Sequence, residues 1–201
     1  DEYGIKGRRI DGLALDIGAH LGTMSVALAV DNPGLHVIAV EPVPDNVRLI
    51  RENAAANGVT ERITIVESAA GRSGEPITVR YAFEGDETAT HHAFIGNSTL
   101  GTPDKPHQVR EGRAVGIQGL VGDAEVAFCK IDCEGGEWAF LDDPAVAQLA
   151  YMFGEYEPVP LPDGTAGRRG LLAAMLGPTH TVTLDGPEVG LGAFTATKRP
   201  P

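Results

Sequence analysis

The sequence predicts a single α/β domain built on a mostly parallel β-sheet. Short apolar runs alternate with segments of helical spacing in the N-terminal half, a pattern typical of βαβ units. Two final apolar runs have no helix between them and predict an antiparallel C-terminal hairpin. With 201 residues, the chain is long enough for one hydrophobic core, so residues 1–201 are assigned to one domain.

The N-terminal half contains three predicted strands and two predicted helices. The strands are residues 13–17, 37–41 and 63–66, and the helices are residues 23–30 and a second helix from the N-cap candidate Asp45 to Gly58. Asn32-Pro33-Gly34 ends the first helix, because the residue before a proline is sterically disfavoured in the α-helical region. Gly58 stands where a left-handed C-terminal cap is expected.

The regular alternation weakens after the third strand. Between residues 71 and 124 the chain has an alternating stretch at 77–81 and a loop-like stretch at 84–105. We interpret this segment as an insertion of antiparallel strands and loops over the ligand cleft. The sheet then resumes with a strand at 126–131, a helix at 137–149, a strand at 151–156, a helix at 171–176 and a hairpin of 179–184 with 192–197.

The chain carries a formal net charge of −12 at pH 7. Proteins that bind nucleic acid neutralise phosphates with Lys and Arg, so RNA and DNA are not expected as partners. The sequence has no apolar run of about 18 residues, the length that a membrane span requires. Residues 1–6 lack the basic-then-apolar pattern of a signal peptide. These features predict a cytoplasmic protein without a membrane partner.

The two cysteines, Cys129 and Cys133, lie four positions apart. An extended strand rises about 3.3 Å per residue, which places their Cα atoms about 13 Å apart and outside disulfide reach. Further Cys or His ligands at short spacing do not flank them, so a metal site is not expected here. Both cysteines are predicted to be free thiols.

A glycine-containing loop, residues 16–22 (DIGAHLG), connects the first strand to the first helix. Such loops bind nucleotide-like ligands in open α/β sheets. A dinucleotide-binding loop has the pattern G-x-G-x-x-G, but aligning on Gly18 puts His20 at the second glycine, and aligning on Gly22 puts Ile17 at the first. A ligand without pyrophosphate but with an ammonium group fits better, because Asp16 ends the strand beside the loop. S-adenosylmethionine is such a ligand.

Glu41 ends the second predicted strand, 25 residues after Asp16. A carboxylate at this position can accept hydrogen bonds from both ribose hydroxyls of an adenosine. NAD and S-adenosylmethionine share that ribose, so Glu41 indicates adenosine binding without distinguishing the two. A solvated glutamate before a helix is the alternative interpretation.

Three segments together resemble the motifs of the FkbM-type methyltransferase family. They are D-x-G-A-x-x-G at residues 16–22, E-P at 41–42 and K-I-D-V-E-G-x-E at 130–137, in this order. The third segment departs from the pattern at Cys133, where the family has valine. The resemblance implies a Rossmann-like class I methyltransferase sheet and S-adenosylmethionine as the cofactor.

The resemblance also implies which residues contact that cofactor. Those expected at the methionine part are Asp16, Gly18, Ala19, His20 and Gly22, those at the ribose are Glu41 and Pro42, and those bordering the adenine are Ser68 and Ala69. His20 is the least certain of this set by sequence, because a surface histidine without a role gives the same pattern.

Candidate catalytic residues follow the fourth strand and lie in the insertion. Asp132 and Glu134 come after the strand, beside the expected sulfonium position, and Asp132 is also a candidate cofactor ligand. His92, next to His91, is a candidate general base because histidine titrates near neutral pH. Strand-end carboxylates also act as simple loop anchors. Glu137 is expected to be structural, in the first turn of the next helix.

These observations favour transfer of a methyl group to a hydroxyl of a small molecule, such as the natural products and sugars on which the resembling family acts. An NAD-dependent oxidoreductase and a catalytically silent adenosine-binding module remain as alternatives. A small-molecule acceptor is the expected partner. The acceptor's identity, any need for a divalent ion, and the oligomeric state, including a homodimer, are left open by the sequence.

Overall fold

The computed structural model of the chain describes residues 9–82, 93–95, 107–133, 135–157, 169–188 and 190–200. The strands in these ranges are β1 (Gly12–Ile17), β2 (Leu35–Val40), β3 (Ile63–Val66), β4 (Pro76–Ala82), β5 (Ala93–Ile95), β6 (His107–Arg113), β7 (Phe128–Ile131), β8 (Tyr151–Tyr156), β9 (His180–Asp185) and β10 (Gly192–Lys198). The α-helices are α1 (Thr23–Asp31), α2 (Pro44–Ala56), α3 (Ile117–Val121) and α4 (Arg169–Leu176), and short 3₁₀ helices are Thr60–Arg62, Glu137–Ala139 and Pro144–Gln148.

The main sheet confirms the predicted fold class. It has the strand order β3-β2-β1-β7-β8-β10-β9. Neighbouring strands are parallel from β3 to β8, whereas β10 is antiparallel to both β8 and β9. The chain builds outward from β1 to β3 and then returns to the other side of β1 with β7. Ligands of open α/β sheets bind where the strand order reverses in this way, beyond the carboxyl ends of the strands.

The strand register aligns the carboxyl ends of β1, β2, β3 and β7 in one row, and β8 extends two residues past that row. Ile17 pairs with Val40 on one side and with Ile131 on the other, and this row continues to Val66 and Gly154. The row immediately beyond it therefore consists of Gly18, Glu41, Glu67, Asp132 and Glu155. Four segments that follow strands, together with Glu155 of β8, thus lie side by side at this edge of the sheet.

The core lies on both faces of this sheet. One apolar cluster packs α1 and α2 against β1, β2 and β3, and the other packs α3, α4 and the 3₁₀ helix Pro144–Gln148 against β7, β8 and β10. The central strands are buried on both faces, which explains why they appear in the sequence as continuous apolar runs rather than alternating ones. Each fully buried Leu or Ile contributes about 1.5–3 kcal/mol relative to exposure.

The predicted insertion contains an antiparallel sheet of order β5-β4-β6. Its central strand β4 includes the predicted alternating stretch. The sheet is joined to the main domain by a bridge between Ala70 and Val115 and by an apolar cluster of Val43, Ala69 and Val79. The insertion therefore adjoins the segments that follow β2 and β3.

The helix predicted at residues 137–149 is wrong. The structure has two 3₁₀ helices there instead, with residues 140–143 between them. Pro144 begins the second one, and Asp143 before it is extended, with φ −64° and ψ 127°. A residue before proline is disfavoured in the α region, so a continuous helix cannot pass this point without strain. The Asp143 carboxylate instead accepts the N–H of Ala145 at 2.9 Å.

Smaller differences concern the ends of elements. Helix α2 has Val43 as its N-cap and Pro44 in its first turn, so Asp45 lies inside the helix rather than at its cap. Gly58 has a φ of 68°, in the predicted left-handed conformation, one residue after the C-cap Asn57. None of the described helices is long and apolar enough to cross a membrane.

Candidate functional site

The glycine loop after β1 curls toward β2. The N–H groups of Gly18 and Ala19 both donate to the carbonyl of Val40, each at 3.0 Å. Gly18 has a φ of 77°, and a Cβ on it would lie 1.7 Å from the Asp132 carbonyl oxygen. Gly22 has the same φ and packs against Ile50. Both predicted glycines are therefore required by the backbone, because a side chain at either position is sterically excluded.

His20 is the one residue other than glycine with a positive φ, 53°, among the described residues. For an ordinary L-residue this left-handed conformation costs about 1–2 kcal/mol. The conformation directs the His20 N–H to Oε2 of Glu41 at 2.8 Å. The loop therefore retains a strained backbone at the position where it meets the end of β2.

Glu41 connects the glycine loop to the start of α2. Besides the His20 N–H, its carboxylate accepts the Val43 N–H at 2.9 Å and the Asn46 amide at 3.1 Å, both at Oε1. Burial raises the pKa of Glu41 from 4.5 to about 7, against these donors, which favour the charged form. A carboxylate offers about four acceptor positions, so the three N–H donors leave one for a ligand hydroxyl.

The residues predicted at the ribose and adenine lie next to the small sheet. The carbonyl of Pro42 accepts the Arg110 guanidinium at 3.1 Å, and Arg110 also pairs with Glu67 at 2.7 Å. The Ser68 hydroxyl donates to the Arg113 carbonyl at 2.9 Å. Ala69 is 2% exposed and belongs to the apolar cluster between the two sheets. The insertion thus holds the segments after β2 and β3 in place.

Asp16 is fully buried beneath the loop. Its Oδ2 accepts the Ser25 hydroxyl from α1 at 2.6 Å, and its Oδ1 lies 3.5 Å from the ammonium of Lys130. The structure therefore directs this carboxylate into the protein. Its predicted contact with the cofactor stays a prediction.

Lys130, on β7, joins the two segments that flank the point of strand reversal. Its ammonium donates to the Gly18 carbonyl at 2.7 Å and lies 3.3 Å from Oδ2 of Asp132. The lysine side chain is 6% exposed, whereas that of Asp132 is 35% exposed. Lys130 was not predicted to have a role, although the residue opens the third motif, which was the available signal.

Glu137 forms a second buried acidic centre beyond β7. It accepts the Glu157 N–H at 2.7 Å, and the Cys133 thiol lies 3.8 Å from its Oε2. Burial raises the pKa of Glu137 from 4.5 to about 7. Burial and the Glu137 carboxylate also raise the pKa of the Cys133 thiol. The expected structural role fits these contacts, but the support comes from a loop and a strand end rather than from a long helix.

The structure brings most of the predicted cofactor residues to one edge of the sheet. Hydrogen bonds and close packing connect Gly18, Ala19, His20, Glu41 and Asp132. Glu134 and His92 lie outside the described residues. Both cysteines are free thiols. Within the described part of the chain, no group of three or more His, Cys, Asp or Glu side chains could hold a metal ion.

The chemistry of this edge fits S-adenosylmethionine. That cofactor presents a ribose diol and an ammonium, which are hydrogen-bond donors, and the edge offers the carboxylates of Glu41 and Asp132 as acceptors. The glycine loop allows the ligand to approach the backbone closely, because residues 18 and 22 carry no side chain.

The chain is similar to known methyltransferases in sequence. The model of the Methyltransferase FkbM domain matches residues 16–175. The release factor glutamine methyltransferase of Chlorobaculum tepidum is 41% identical over 54 residues, which are 27% of this chain and 18% of that enzyme. The local match thus spans less than a fifth of that relative.

Several solved structures share the fold. Precorrin-6Y C5,15-methyltransferase from Geobacter metallireducens has a TM-score of 0.51 and 17% identity, over 96% of this chain and 84% of that one. TrmK from M. capricolum, in complex with S-adenosyl-homocysteine, has a TM-score of 0.55 and 8% identity, over 96% and 65%. Sp1610 of Streptococcus pneumoniae, a putative tRNA (m1A22) methyltransferase, has a TM-score of 0.50 and 11% identity, over 96% and 66%.

These structures show the fold, and the family match covers most of the chain, including all three motifs of the candidate site. The earlier alternative of an NAD-dependent oxidoreductase is thereby set aside. The chain belongs to the FkbM-domain family of S-adenosylmethionine-dependent methyltransferases.

Proposed function

We propose that this methyltransferase modifies a hydroxyl oxygen of a small, non-anionic molecule, such as a natural product or a sugar. The observation that carries the proposal is the row of residues that follows Ile17, Val40, Val66, Ile131 and Gly154. It is acidic at four of its five positions: Glu41, Glu67 and Asp132, which follow strand ends, and Glu155, which lies within β8. Carboxylates at the edge of a cleft repel phosphates and attract neutral or cationic groups.

The same charge argument disfavours a nucleic-acid acceptor. The net charge of the chain is −12, and the cations described at this edge are already paired: Lys130 with Asp16 and Asp132, and Arg110 with Glu67. RNA binding depends on cations that are available to phosphates. A putative tRNA methyltransferase among the structural neighbours is 11% identical to this chain. At this identity the shared fold does not indicate a shared substrate.

The proposed cofactor contacts follow the earlier assignments. Glu41 and Pro42 face the ribose, the loop residues Gly18, Ala19, His20 and Gly22 face the methionine part, and Ser68 with Ala69 borders the adenine. When bound, S-adenosylmethionine supplies an electrophilic methyl group on a positively charged sulfur. The protein's contribution is alignment, since holding two reactants in line can remove about 7–11 kcal/mol of a barrier.

A hydroxyl loses its proton as it attacks the methyl group, so a proton acceptor is expected near the acceptor oxygen. Asp132, Glu134 and His92 are the proposed candidates. Asp132 is the one that falls within the described residues, and its side chain is 35% exposed beside the loop.

The proposal is tested by transfer of an isotopically labelled methyl group. Purified protein and labelled S-adenosylmethionine are incubated with a panel of hydroxylated natural products and sugars, a glutamine-containing peptide and a tRNA transcript. Mass spectrometry and NMR then locate the label. Label on a hydroxyl oxygen supports the proposal, and label confined to the peptide amide or to a tRNA base overturns it. Cofactor binding without transfer to any acceptor would favour the silent adenosine-binding module.

A further inference from the structure

The main sheet has two edge strands, β3 and β9. Monomeric proteins usually protect the backbone groups of an edge strand with charged residues, proline or a bulge, because an open edge pairs readily with another strand. The edge at β3 is short and charged: the strand has four residues, and Glu61, Arg62 and Glu67 flank it. Arg51 and Arg110 in turn pair with Glu67. A further strand would therefore meet charges at both ends of β3.

The edge at β9 lacks this protection along most of its length. Its six residues, HTVTLD, contain one charged side chain, that of Asp185 at the last position. Thr181 and Thr183 are exposed on one face of the strand, and Val182 and Leu184 are half-buried on the other. β-Branched residues such as these favour a strand within a sheet. The strand is therefore a suitable template for pairing with a further strand.

Helix α4 packs against β9 and is apolar on its outer side as well as on its inner side. Leu172 and Leu176 are fully buried in the core. On the outer side Ala174 is exposed, and Leu171 and Met175 are half-buried. A helix on the surface of a globular protein usually has charged or polar residues opposite its buried face. The outer side of α4 instead lacks charge, as the centres of protein interfaces do.

The surface formed by α4 and β9 is uncharged in a strongly acidic protein. Residues 170–184 contain no Asp, Glu, Lys or Arg, although 22% of the chain is charged and its net charge is −12. Two copies of an acidic protein repel each other through their charged surfaces. An uncharged surface is therefore where a second copy approaches most favourably. A basic partner would instead be attracted to surfaces that carry carboxylates.

We infer that the uncharged surface, residues 170–184, binds a second copy of this chain. Antiparallel pairing of β9 with β9 of the other copy is compatible with a two-fold axis, about which both protomers use the same surface. The pairing joins the two seven-stranded sheets into one continuous sheet. The axis is perpendicular to that sheet, so the two α4 helices lie on the same face with their apolar outer sides together.

The inferred dimer leaves the cofactor site of each protomer open. The strands β8 and β10 separate β9 from β7, and the glycine loop follows β1 on the far side of β7. Dimer formation and cofactor binding are therefore expected to be independent, and substitutions in the uncharged surface should not change the affinity for S-adenosylhomocysteine.

Sedimentation equilibrium of the purified chain at about 1–100 μM tests the inference, because this range spans the Kd values of weak and stable dimers. We expect a monomer–dimer equilibrium for the wild type. We expect Thr183→Lys to raise the dimer Kd about tenfold or more, since lysine on an edge strand opposes pairing and the two-fold axis introduces it twice. Ala174→Glu should have a similar effect, because it places two carboxylates between the α4 helices.

The matched control is Thr64→Lys, which introduces the same residue at an exposed threonine of the opposite edge strand, β3. This variant should dimerise as the wild type does. Thermal unfolding and calorimetry with S-adenosylhomocysteine show whether each variant is folded. Hydrogen exchange locates the interface, since the amides of β9 should exchange more slowly at high than at low protein concentration.

A wild-type chain that stays monomeric over the whole concentration range overturns the inference. A dimer that persists in both Thr183→Lys and Ala174→Glu, or that is lost in Thr64→Lys, shows that the copies meet at another surface and also overturns it. Should one of the two interface variants fail to fold, the other decides.

Discussion

At the scale of single residues, Glu41 shows how one side chain organises a site. Its position at the end of the second strand was enough to predict an adenosine contact. Its bonds to the His20 and Val43 N–H groups and to Asn46 could not be predicted, because they depend on how the loop folds back. The carboxylate therefore holds two loops together in addition to its proposed contact with the ribose.

Replacing Glu41 with glutamine tests the proposed contact of its carboxylate with the ribose. The amide has one acceptor oxygen in place of two, and its NH₂ group would face the N–H donors that the carboxylate now accepts. We expect S-adenosylhomocysteine to bind about tenfold more weakly or worse in Glu41→Gln. Calorimetry measures this. Glu52→Gln, at an exposed partner of Arg48, is the control and should bind normally; unchanged affinity in Glu41→Gln would exclude the ribose role.

His20 permits a test of backbone strain. Glycine adopts its φ of 53° freely, whereas a β-branched residue is strongly disfavoured there. Both His20→Gly and His20→Val remove the imidazole, so their difference isolates the backbone. We expect His20→Val to be less stable than His20→Gly by about 1–2 kcal/mol, measured by urea unfolding. Equal stability would show that the loop relaxes to an ordinary conformation.

Lys130 shows which contacts of a single residue cannot be predicted from the sequence. Gly18 and Gly22 were recognisable from local spacing, because a tight turn leaves a local pattern. The contact from Lys130 to Gly18 spans 112 positions in the chain. The third motif marks Lys130 in the sequence, but it does not identify the partner. Such contacts arise from strand register, which the sequence pattern alone does not specify.

At the scale of elements, strands were predicted better than the helix at 137–149. The strands at 63–66 and 151–156 have the predicted bounds, because apolar runs between breakers specify them locally. The helix failed because Pro144 excludes Asp143 from the α region, which outweighs the apolar spacing. The resulting 3₁₀ turns place Glu137 and Trp138 against the end of β8, where the Trp138 indole donates to the Glu157 carbonyl at 2.8 Å.

The Glu137 contact with β8 predicts a pH-dependent stability. Its folded pKa is raised from 4.5 to about 7, so the native state binds more protons than the unfolded state between these values. The group's contribution to folding is therefore complete below the unfolded pKa and is lost as the pH rises through about 7. Glu137→Gln does not titrate at this position.

We expect the stability of the wild type relative to Glu137→Gln to fall by about 2 kcal/mol between pH 5 and pH 8. Glu41 titrates in both proteins and cancels in the comparison. Urea unfolding followed by the fluorescence of Trp138, the single tryptophan, measures the difference. A difference that stays constant over this range would show that Glu137 does not titrate as its burial implies.

At the scale of the whole molecule, the strand order explains why the site lies where it does. The strand order changes direction between β1 and β7, and this places the loop after Ile17 beside the segment after Ile131. The sequence predicted parallel strands and a closing hairpin, and the family resemblance implied the rest of the sheet. The docking of the small sheet on Pro42 and Glu67 through Arg110 was not predictable, because it joins segments that are distant in the chain.

Ligand binding should stabilise the whole domain, because a ligand that binds only the native state adds to its free energy of unfolding. At a hundredfold excess over Kd, S-adenosylhomocysteine should add about 2.7 kcal/mol. For a domain of this size that raises Tm by about 5–10 °C. Differential scanning fluorimetry measures the shift.

The same fluorimetry experiment includes two ligands, NAD and RNA, that should not bind. NAD should not bind, because the loop lacks the G-x-G-x-x-G pattern that a dinucleotide requires: His20 stands at the second glycine. RNA should not bind, because the protein has a net charge of −12, which repels phosphates. Neither should raise Tm at the same concentrations. Glu41→Gln should show about half the wild-type shift with S-adenosylhomocysteine, because a tenfold weaker Kd removes about 1.4 kcal/mol. A shift with NAD equal to that with S-adenosylhomocysteine would mean that the loop recognises the shared adenosine alone, and the acidic edge would then have no part in choosing the cofactor.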